Sequence, residues 1–582
     1  MMRFTRHIRS LLPSREDYRS LKRTWRGDVV AGITVGIVAL PLALAFGVSS
    51  GAGAEAGLIT AIVAGIVAAV FGGSNIQVSG PTGAMVVVLG PIVATYGIEA
   101  VAVVSLMAGI VVFAAGAAKL GRVVSFIPWP VIEGFTLGIA VIIFLQQVPS
   151  AIGSTAGPSS NAVVAAVQSM SGIDPASVYW AVGAVLLVAV IMITAPLIHR
   201  HLPGSIIAII VVTVIAGIAG LPLATIGALP NSLPLPGLPA FDPATVQALV
   251  GPALTVAALA AIESLLSARV AASISDTGPY DADRELVGQG LASVASGFFG
   301  GMPATGAIAR TAVNLRSGGR TRLAAIVHAL VLLAVVYLAT GIVSQIPLAA
   351  LAGVLMVTAT RMISLATVRS VIGSTRSDTV VFVITAIVTV SVDLIVAVGI
   401  GIAVAAFFAL RRLAESGGVH REELPTPADP EDAHIALFRL DGALFFGAAD
   451  RMLERVTRIE DVSVVIIRMS QLQVLDATGA KVITEMIQGL ERRGITVLVK
   501  GIQAEHLRVA TRVGVIASLR HQNHLFTDLD AAVAHARSHV LRTRTARPAT
   551  GSPAGSATEP SVGSTTGAAT GAAAGPQDRG IR

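Results

Sequence analysis

From about residue 28 to residue 411 the chain passes through one apolar segment after another, and many approach the ~20 residues a helix needs to cross a bilayer. Fourteen segments are expected, some short, centred near residues 38, 63, 85, 108, 135, 188, 212, 260, 293, 310, 332, 355, 387 and 403. A hydrophobic fraction of 54%, a charged fraction of 13% and a mean hydropathy of +0.78 exclude an ordinary soluble protein. No short apolar stretch with a small-residue cleavage site opens the chain, so no removable signal peptide is expected.

The basic residues give the segments a direction. Lys119 and Arg122 follow the fourth segment, Arg200 the sixth, and Arg269 and Arg284 bracket the loop after the eighth. Arg316, Arg320 and Arg322 follow the tenth, and Arg361, Arg369 and Arg376 the twelfth. The loops at 149–177 and 221–246, after odd-numbered segments, contain no Lys or Arg. Positive charge marks the cytoplasmic side, so both termini are expected there, in an inner (plasma) membrane. The net charge of +7 sits in these loops, the N-terminus and the tail, which suits a membrane protein better than a nucleic-acid binder. With no cysteine there are no disulfides, thiol nucleophiles or Cys-based metal sites.

Five regions follow from the pattern. Residues 1–27 form a cytoplasmic segment whose arginines, among them Arg3, Arg6, Arg9, Arg15, Arg19, Arg23 and Arg26, alternate with Phe4, Ile8, Leu11, Leu12 and Trp25. Such a segment lies on the membrane surface or is a disordered basic leader. Residues 28–411 form the membrane domain and 412–433 a linker. Residues 434–540 alternate strands (435–446, 462–469, 495–499) with helices (478–492, 503–513, 528–539), the pattern of a small α/β domain. Residues 541–582, rich in Ala, Gly, Ser, Thr and Pro, should be a disordered tail.

Two matching stretches interrupt the apolar sequence: Gly80-Pro81-Thr82-Gly83-Ala84-Met85 and Pro303-Ala304-Thr305-Gly306-Ala307-Ile308. Their threonines are 223 positions apart. Gly/Pro-broken segments in corresponding halves of a membrane protein point to two interrupted helices facing each other at a binding site. A helix that starts inside the membrane leaves its first N–H groups unpaired, and these attract an anion. Pro81 and Pro303 suit a helix start, the glycines permit close backbone approach, and Thr82 and Thr305 offer hydroxyls. The alternative is that Gly and Pro merely kink packed membrane helices.

Glu263 lies in the eighth segment, where a carboxylate is costly unless paired, protonated or facing a cavity. The same offset brings it onto Leu40, beside Pro41. It is read as a protonatable or cation-binding group, with Ser267 one turn later sharing the site, or as a structural carboxylate. Glu133 and Asp393 also lie in apolar runs. Arg310, in the second turn of the tenth segment, is read either as a fixed positive charge suited to oxyanions or as a salt-bridged or snorkelling side chain. His199 and His201 flank Arg200 as loop charges with no matching third ligand, so no metal site is expected.

The run Gly27-Asp28-Val29-Val30-Ala31-Gly32-Ile33-Thr34-Val35-Gly36, the Pro41-containing first span and Val78-Ser79-Gly80-Pro81-Thr82-Gly83 resemble the sulfate permease (SulP) family. So do Ala261-Ile262-Glu263-Ser264-Leu265-Leu266, Gly288-Gln289-Gly290 and Ala309-Arg310-Thr311. The resemblance covers residues 27–540 and includes a C-terminal STAS domain; vertebrate anion exchangers and prestin belong to the same superfamily. It implies an α-helical membrane protein of fourteen spans, as two inverted seven-span repeats in which a core domain moves against a gate domain. It places the substrate between the two helix starts, at Thr82, Gly83, Ala84, Thr305, Gly306, Ala307 and Arg310, and the spans of Glu133 and Asp393 in the gate. Sodium-coupled bicarbonate carriers of the family are similar but have Asp and Thr where this chain has Glu263 and Ser267, a departure that favours proton over sodium coupling. Val474-Leu475-Asp476-Ala477-Thr478-Gly479 resembles the turn of anti-sigma-factor antagonists, with Thr478 at the phosphorylatable position or acting only as a helix N-cap. A homodimer and cytoplasmic protein partners of the STAS domain are also implied.

The expected function is secondary-active transport of an inorganic anion by alternating access. Proton-coupled sulfate uptake comes first, with bicarbonate, chloride, C4-dicarboxylates, sodium coupling and exchange as alternatives. A passive anion channel would not need Glu263, and a STAS-mediated regulatory scaffold would not need the paired motifs. No nucleophile–base pair, Gly-rich phosphate loop or metal-ligand spacing points to an enzyme, and no cofactor is expected.

Overall fold

The computed structural model describes residues 11–122, 127–155, 157, 159, 161–199, 202–239, 242–392, 394–416, 418–425, 427–444 and 461–545. Arg3, Phe4, Arg6, Ile8, Arg9, Arg200, His201, Asp393 and the tail beyond residue 545 lie outside them. By packing the chain divides into two units, 1–409 and 410–582.

In the first unit helices occupy all fourteen expected positions. The first half comprises α1 (Leu21–Ser49), α2 (Gly53–Phe71), α3 (Gly83–Tyr96), α4 (Glu99–Ala117), α5 (Trp129–Gln146), α6 (Pro175–Ile198) and α7 (Gly204–Ala219). The second comprises α8 (Pro243–Ile274), α9 (Ala282–Phe298), α10 (Ile308–Arg316), α11 (Arg322–Leu338), α12 (Leu348–Met362), α13 (Arg376–Ser391) and α14 (Leu394–Ser416). Among the described residues, 8 helices are individually long and apolar enough to cross a membrane. α3 and α10 are among the short ones, because each begins partway along the bundle.

The packing obeys the repeat. α1 packs on α11 and α8 on α4; α2 packs on α11 and α9 on α4; α5 packs on α13 and α12 on α6. Exchanging each helix for the one seven later turns every first pairing into its second. This sorts α1, α2, α4, α8, α9 and α11 into one bundle and α5, α6, α12 and α13 into another. Close approach within the first bundle rests on small residues. A Cβ on Gly32 of α1 would lie 2.6 Å from the carbonyl oxygen of Ala324 in α11.

α1 begins at Leu21, inside the stretch assigned to the N-terminal segment. Lys22, Arg23 and Arg26 are good helix formers, so the helix outruns the apolar run by two turns. Asp28, fully buried, explains what anchors this end: its carboxylate accepts the backbone N–H groups of Arg320 (2.6 Å) and Thr321 (2.9 Å) and the Thr321 hydroxyl (2.7 Å).

The second unit is a five-stranded sheet. β3 (Gly418–Glu422) pairs antiparallel with β4 (Ile435–Leu444), which is followed in parallel by β5 (Val464–Leu475), β6 (Thr496–Lys500) and β7 (Leu525–Phe526). β1 (Ser79–Gly80) and β2 (Thr305–Gly306) belong to the first unit. α15 (Ala477–Arg492) and α16 (Ala504–Val513) cover one face, and α17 (Leu529–Thr545) the other. Val464–Ile467 and Val497–Val499 are apolar throughout because central parallel strands are buried on both faces. Two boundaries differ from expectation. β3 lies inside the assigned linker; only Val419 of Gly418-Val-His-Arg-Glu is buried, so this edge strand carries no apolar alternation to announce it. α17 runs to Thr545, past the assigned start of the tail. Arg537 of α17 donates to both Asp432 oxygens at 2.8 Å, holding that carboxyl below its usual range.

Candidate functional site

The two broken segments meet through a short antiparallel pair, β1 (Ser79–Gly80) and β2 (Thr305–Gly306), with Ser79 opposite Gly306 and Gly80 opposite Thr305. From this pair α3 and α10 depart. Antiparallel pairing is what a two-fold relation between the halves requires. The hydrogen bonds of the pair also satisfy extended backbone at membrane depth, which is tolerated only inside protein.

The two starts are not identical. Thr82, in an extended conformation, is the N-cap residue of α3, whereas Ala307 holds that place for α10, two residues beyond Thr305. Pro81 and Pro303 therefore sit in the extended lead-ins rather than in the first helical turns. The Gly306 N–H donates to Ser264 Oγ (3.1 Å) and the Ala307 N–H to the Val78 carbonyl (2.8 Å). In this conformation neither amide is free for an anion, so the open donors at α10 move on to the first turn of the helix itself. At α3 the corresponding positions are Gly83, Ala84 and Met85.

Glu263, about two thirds of the way along α8 and only half-buried, ties the starts together. Its Oε2 accepts the Thr82 hydroxyl at 2.8 Å and the Thr305 hydroxyl at 2.9 Å, and the two hydroxyl oxygens are 2.9 Å apart. Arg310, 2% exposed, donates through Nη2 to the Pro81 carbonyl, so its guanidinium crosses from α10 to the start of α3. Its Nη1 is buried without a hydrogen-bond partner. Ser267 is fully buried, and its hydroxyl likewise has none. Sequence reasoning thus named Thr82, Thr305, Glu263, Arg310 and Ser267, and all lie around this junction.

It missed Gln77 and Ser264. Gln77 donates to the Ser264 carbonyl (3.4 Å), and its side chain occupies the space next to Gly306. A polar side chain two residues before β1 was the available signal. Beyond the junction, α3, α5, α8 and α13 enclose a cavity of about 410 Å³ lined by Val87, Ile92, Gln146, Thr255 and Thr389, among others. Glu133, in α5, accepts a hydrogen bond from the Trp129 indole (2.9 Å) and stands apart from the junction.

In the second unit Asp476, not Thr478, caps α15, its carboxylate accepting the Gly479 N–H at 2.7 Å. Thr478 is exposed in the first turn of that helix. The N-cap role considered for Thr478 is thereby filled by Asp476, two residues earlier, and Asp is the better N-cap residue.

A bundle of paired helices, two of them interrupted at a shared polar junction, defines a multi-pass helical membrane transporter. The sulfate permease family profile matches residues 25–385 and the STAS domain profile residues 426–532. The chain belongs to the sulfate permease family, one of transporters rather than enzymes. It is similar to YvdB of Bacillus subtilis (strain 168), provisionally named a sulfate transporter: 34% identity over 515 residues, covering 86% of this chain and 96% of that protein. It is also 32% identical over 499 residues to the bicarbonate transporter BicA of Picosynechococcus sp., covering 80% of this chain and 87% of BicA. Murine Solute Carrier 26 family member A9 shares the fold at 18% identity, with a TM-score of 0.76 over 89% of this chain and 92% of that one.

Proposed function

We propose that the chain is a secondary-active anion transporter that works by alternating access and takes up sulfate together with a proton. The observation that carries this reading is the convergence of the Thr82 and Thr305 hydroxyls on Glu263 between two helix starts, with Arg310 behind them. Two helix N-termini and a guanidinium make a positive, water-excluding setting for an oxyanion. An ionised Glu263 takes the hydrogens of both threonines. A protonated carboxyl carries its own O–H and releases one threonine hydrogen, which is then available to the anion. Proton and anion therefore favour each other's binding, the thermodynamic requirement for symport. A passive channel has no use for this arrangement.

The names of YvdB and BicA support an anion as substrate, sulfate from the first and bicarbonate as the second reading. Sites built from amides and hydroxyls read charge and size, so chloride and C4-dicarboxylates are the competitors to exclude. Sodium is the second coupling ion. The unpartnered Ser267 hydroxyl favours it, one turn from Glu263, because hard cations take oxygen ligands. Proteoliposomes loaded against labelled sulfate, bicarbonate or succinate, under an imposed proton or sodium gradient, decide among these. Sulfate accumulation driven by protons alone is the expected result, and no sulfate entry under any gradient would refute it.

Location in the inner membrane, with the N-terminus and STAS domain cytoplasmic and the protein a homodimer, belongs to the same reading. In that orientation the 410 Å³ cavity lies on the outer side of Glu263, since it borders α8 at Gly251 and Pro252, between the start of that helix and Glu263. The chain has no cysteine, so a single one introduced at Ser159 reports its side unambiguously. An impermeant maleimide should label it from outside intact cells; labelling only after the cytoplasmic face is opened would reverse the topology.

A further inference from the structure

The STAS unit brings three histidines to one point. His524 ends the turn Gln522–His524 that leads into β7, and His535 and His539 stand one helical turn apart on α17. One ring nitrogen from each lies within 4.8 Å of the others. Ring centroids are 5.6 Å apart for His524 and His535, 5.4 Å for His524 and His539, and 4.9 Å for His535 and His539. Hydrogen bonds do not account for the gathering. His524 Nδ1, on a residue 1% exposed, and His535 Nε2 are buried without a partner.

An orphaned buried polar atom costs about 1–3 kcal/mol, so two in one cluster point to a partner that takes several imidazole lone pairs at once. We propose that His524, His535 and His539 form a binding site for a borderline divalent transition metal of the zinc class, with His521 or a water as fourth ligand. Imidazole is a preferred ligand of such ions, and three histidines plus one open position is an established zinc geometry. Metal–nitrogen bonds of about 2.0–2.1 Å put tetrahedral ligand atoms roughly 3.4 Å apart, so rings now within 4.8 Å close by about 1.4 Å through side-chain rotation. The His535–His539 spacing is the i, i+4 pair that lets one helix face offer two ligands. His521, exposed, has its ring 5.4 Å from that of His524.

Of the neighbouring cations, Arg520 is paired with Glu491 at 3.0 Å, while Arg542 donates to the Ser538 carbonyl and keeps its charge. A bound ion would join α17 to the turn before β7, clamping the last helix onto the sheet. The spacing His521-x2-His524-x10-His535-x3-His539 was readable in the sequence, where only His199 and His201 were weighed as ligands.

The test uses the full-length chain purified without a polyhistidine tag, stripped with chelator and titrated with Zn2+. One zinc per chain is expected, lost in His535→Gln/His539→Gln. His539→Gln alone should weaken zinc by about 100-fold or more, since even ligand-supporting residues are worth 10–100-fold. Equal zinc stoichiometry in wild type and double variant would overturn the site. Cobalt gives a readout independent of how the variants fold: wild type should develop the visible absorption of a tetrahedral nitrogen-ligated ion. Absence of that band, leaving only imidazoles packed edge-on, would also overturn it.

Discussion

Replacing Glu263 with Gln is expected to leave anion binding intact while abolishing accumulation driven by a proton gradient. The side-chain amide keeps the shape of the carboxyl and, like the protonated acid, donates on one side and accepts on the other. Thr82 and Thr305, both bound to Glu263 Oε2 in the wild type, retain one acceptor and gain one donor. The variant is therefore fixed in the anion-receptive arrangement and has no proton to release. With the membrane potential clamped, a gradient of about two pH units can drive roughly 100-fold accumulation per coupled proton, because each pH unit is worth 1.36 kcal/mol. For Glu263→Gln the ratio of internal to external anion should fall to about one.

Exchange of labelled internal for unlabelled external anion should persist in the same vesicles, since it needs only binding and alternation. That pairing separates coupling from folding: a misfolded protein loses both. Proton-driven accumulation by Glu263→Gln at the wild-type level would remove this residue from the coupling site. Accumulation driven by sodium alone in the wild type would instead put a sodium ion, not a proton, at Glu263 and Ser267.

Much of the first unit was legible because helices in lipid announce themselves by length and composition. The fourteen apolar centres, the offset between Thr82 and Thr305 and the isolated Glu263 each point to the same junction. What the sequence withheld was phase. The repeated Thr-Gly-Ala suggested equivalent helix starts, yet Thr82 is the N-cap residue of α3 while Thr305 lies in β2, and α10 starts two residues later relative to its threonine than α3 does. The difference follows from hydrogen bonds made to distant elements, at Ser264 and Val78, which no local pattern records. Gln77 was overlooked for the same reason: its partners lie on α8. In the second unit β3 was hidden because an edge strand buries little, and Val419 alone cannot show a period of two. The histidine cluster was overlooked for want of a search across elements, since its ligands come from a turn and a helix.

Enlarging the glycines at the junction should abolish binding rather than coupling, and the two sides should fail for different reasons. A Cβ on Gly83 would run into Ile143 Cδ1 of α5 and lie 3.6 Å from Phe46 Cε1 of α1. Gly83→Val therefore both crowds the first free amides of α3 and wedges α3 away from α5, a helix of the second bundle. A Cβ on Gly306 would meet the Gln77 amide and sit 3.1 Å from Ser267 Cβ, so Gly306→Val disturbs the β1–β2 pair and the proposed coupling pocket. Overpacking of this kind costs about 1–3 kcal/mol, and each charge-assisted hydrogen bond lost to the anion about 1.5–3 kcal/mol more. Either variant should thus bind anion at least about 100-fold more weakly, which at 1.4 kcal/mol per tenfold requires only about 3 kcal/mol. Gly83→Ala should fall between wild type and Gly83→Val, because the Ile143 methyl is the far end of a flexible side chain and can turn aside. The measurement is anion affinity by tracer binding to detergent-purified protein, with a monodisperse elution profile as the folding control. Wild-type affinity in either valine variant would mean that the anion does not sit between the starts of α3 and α10.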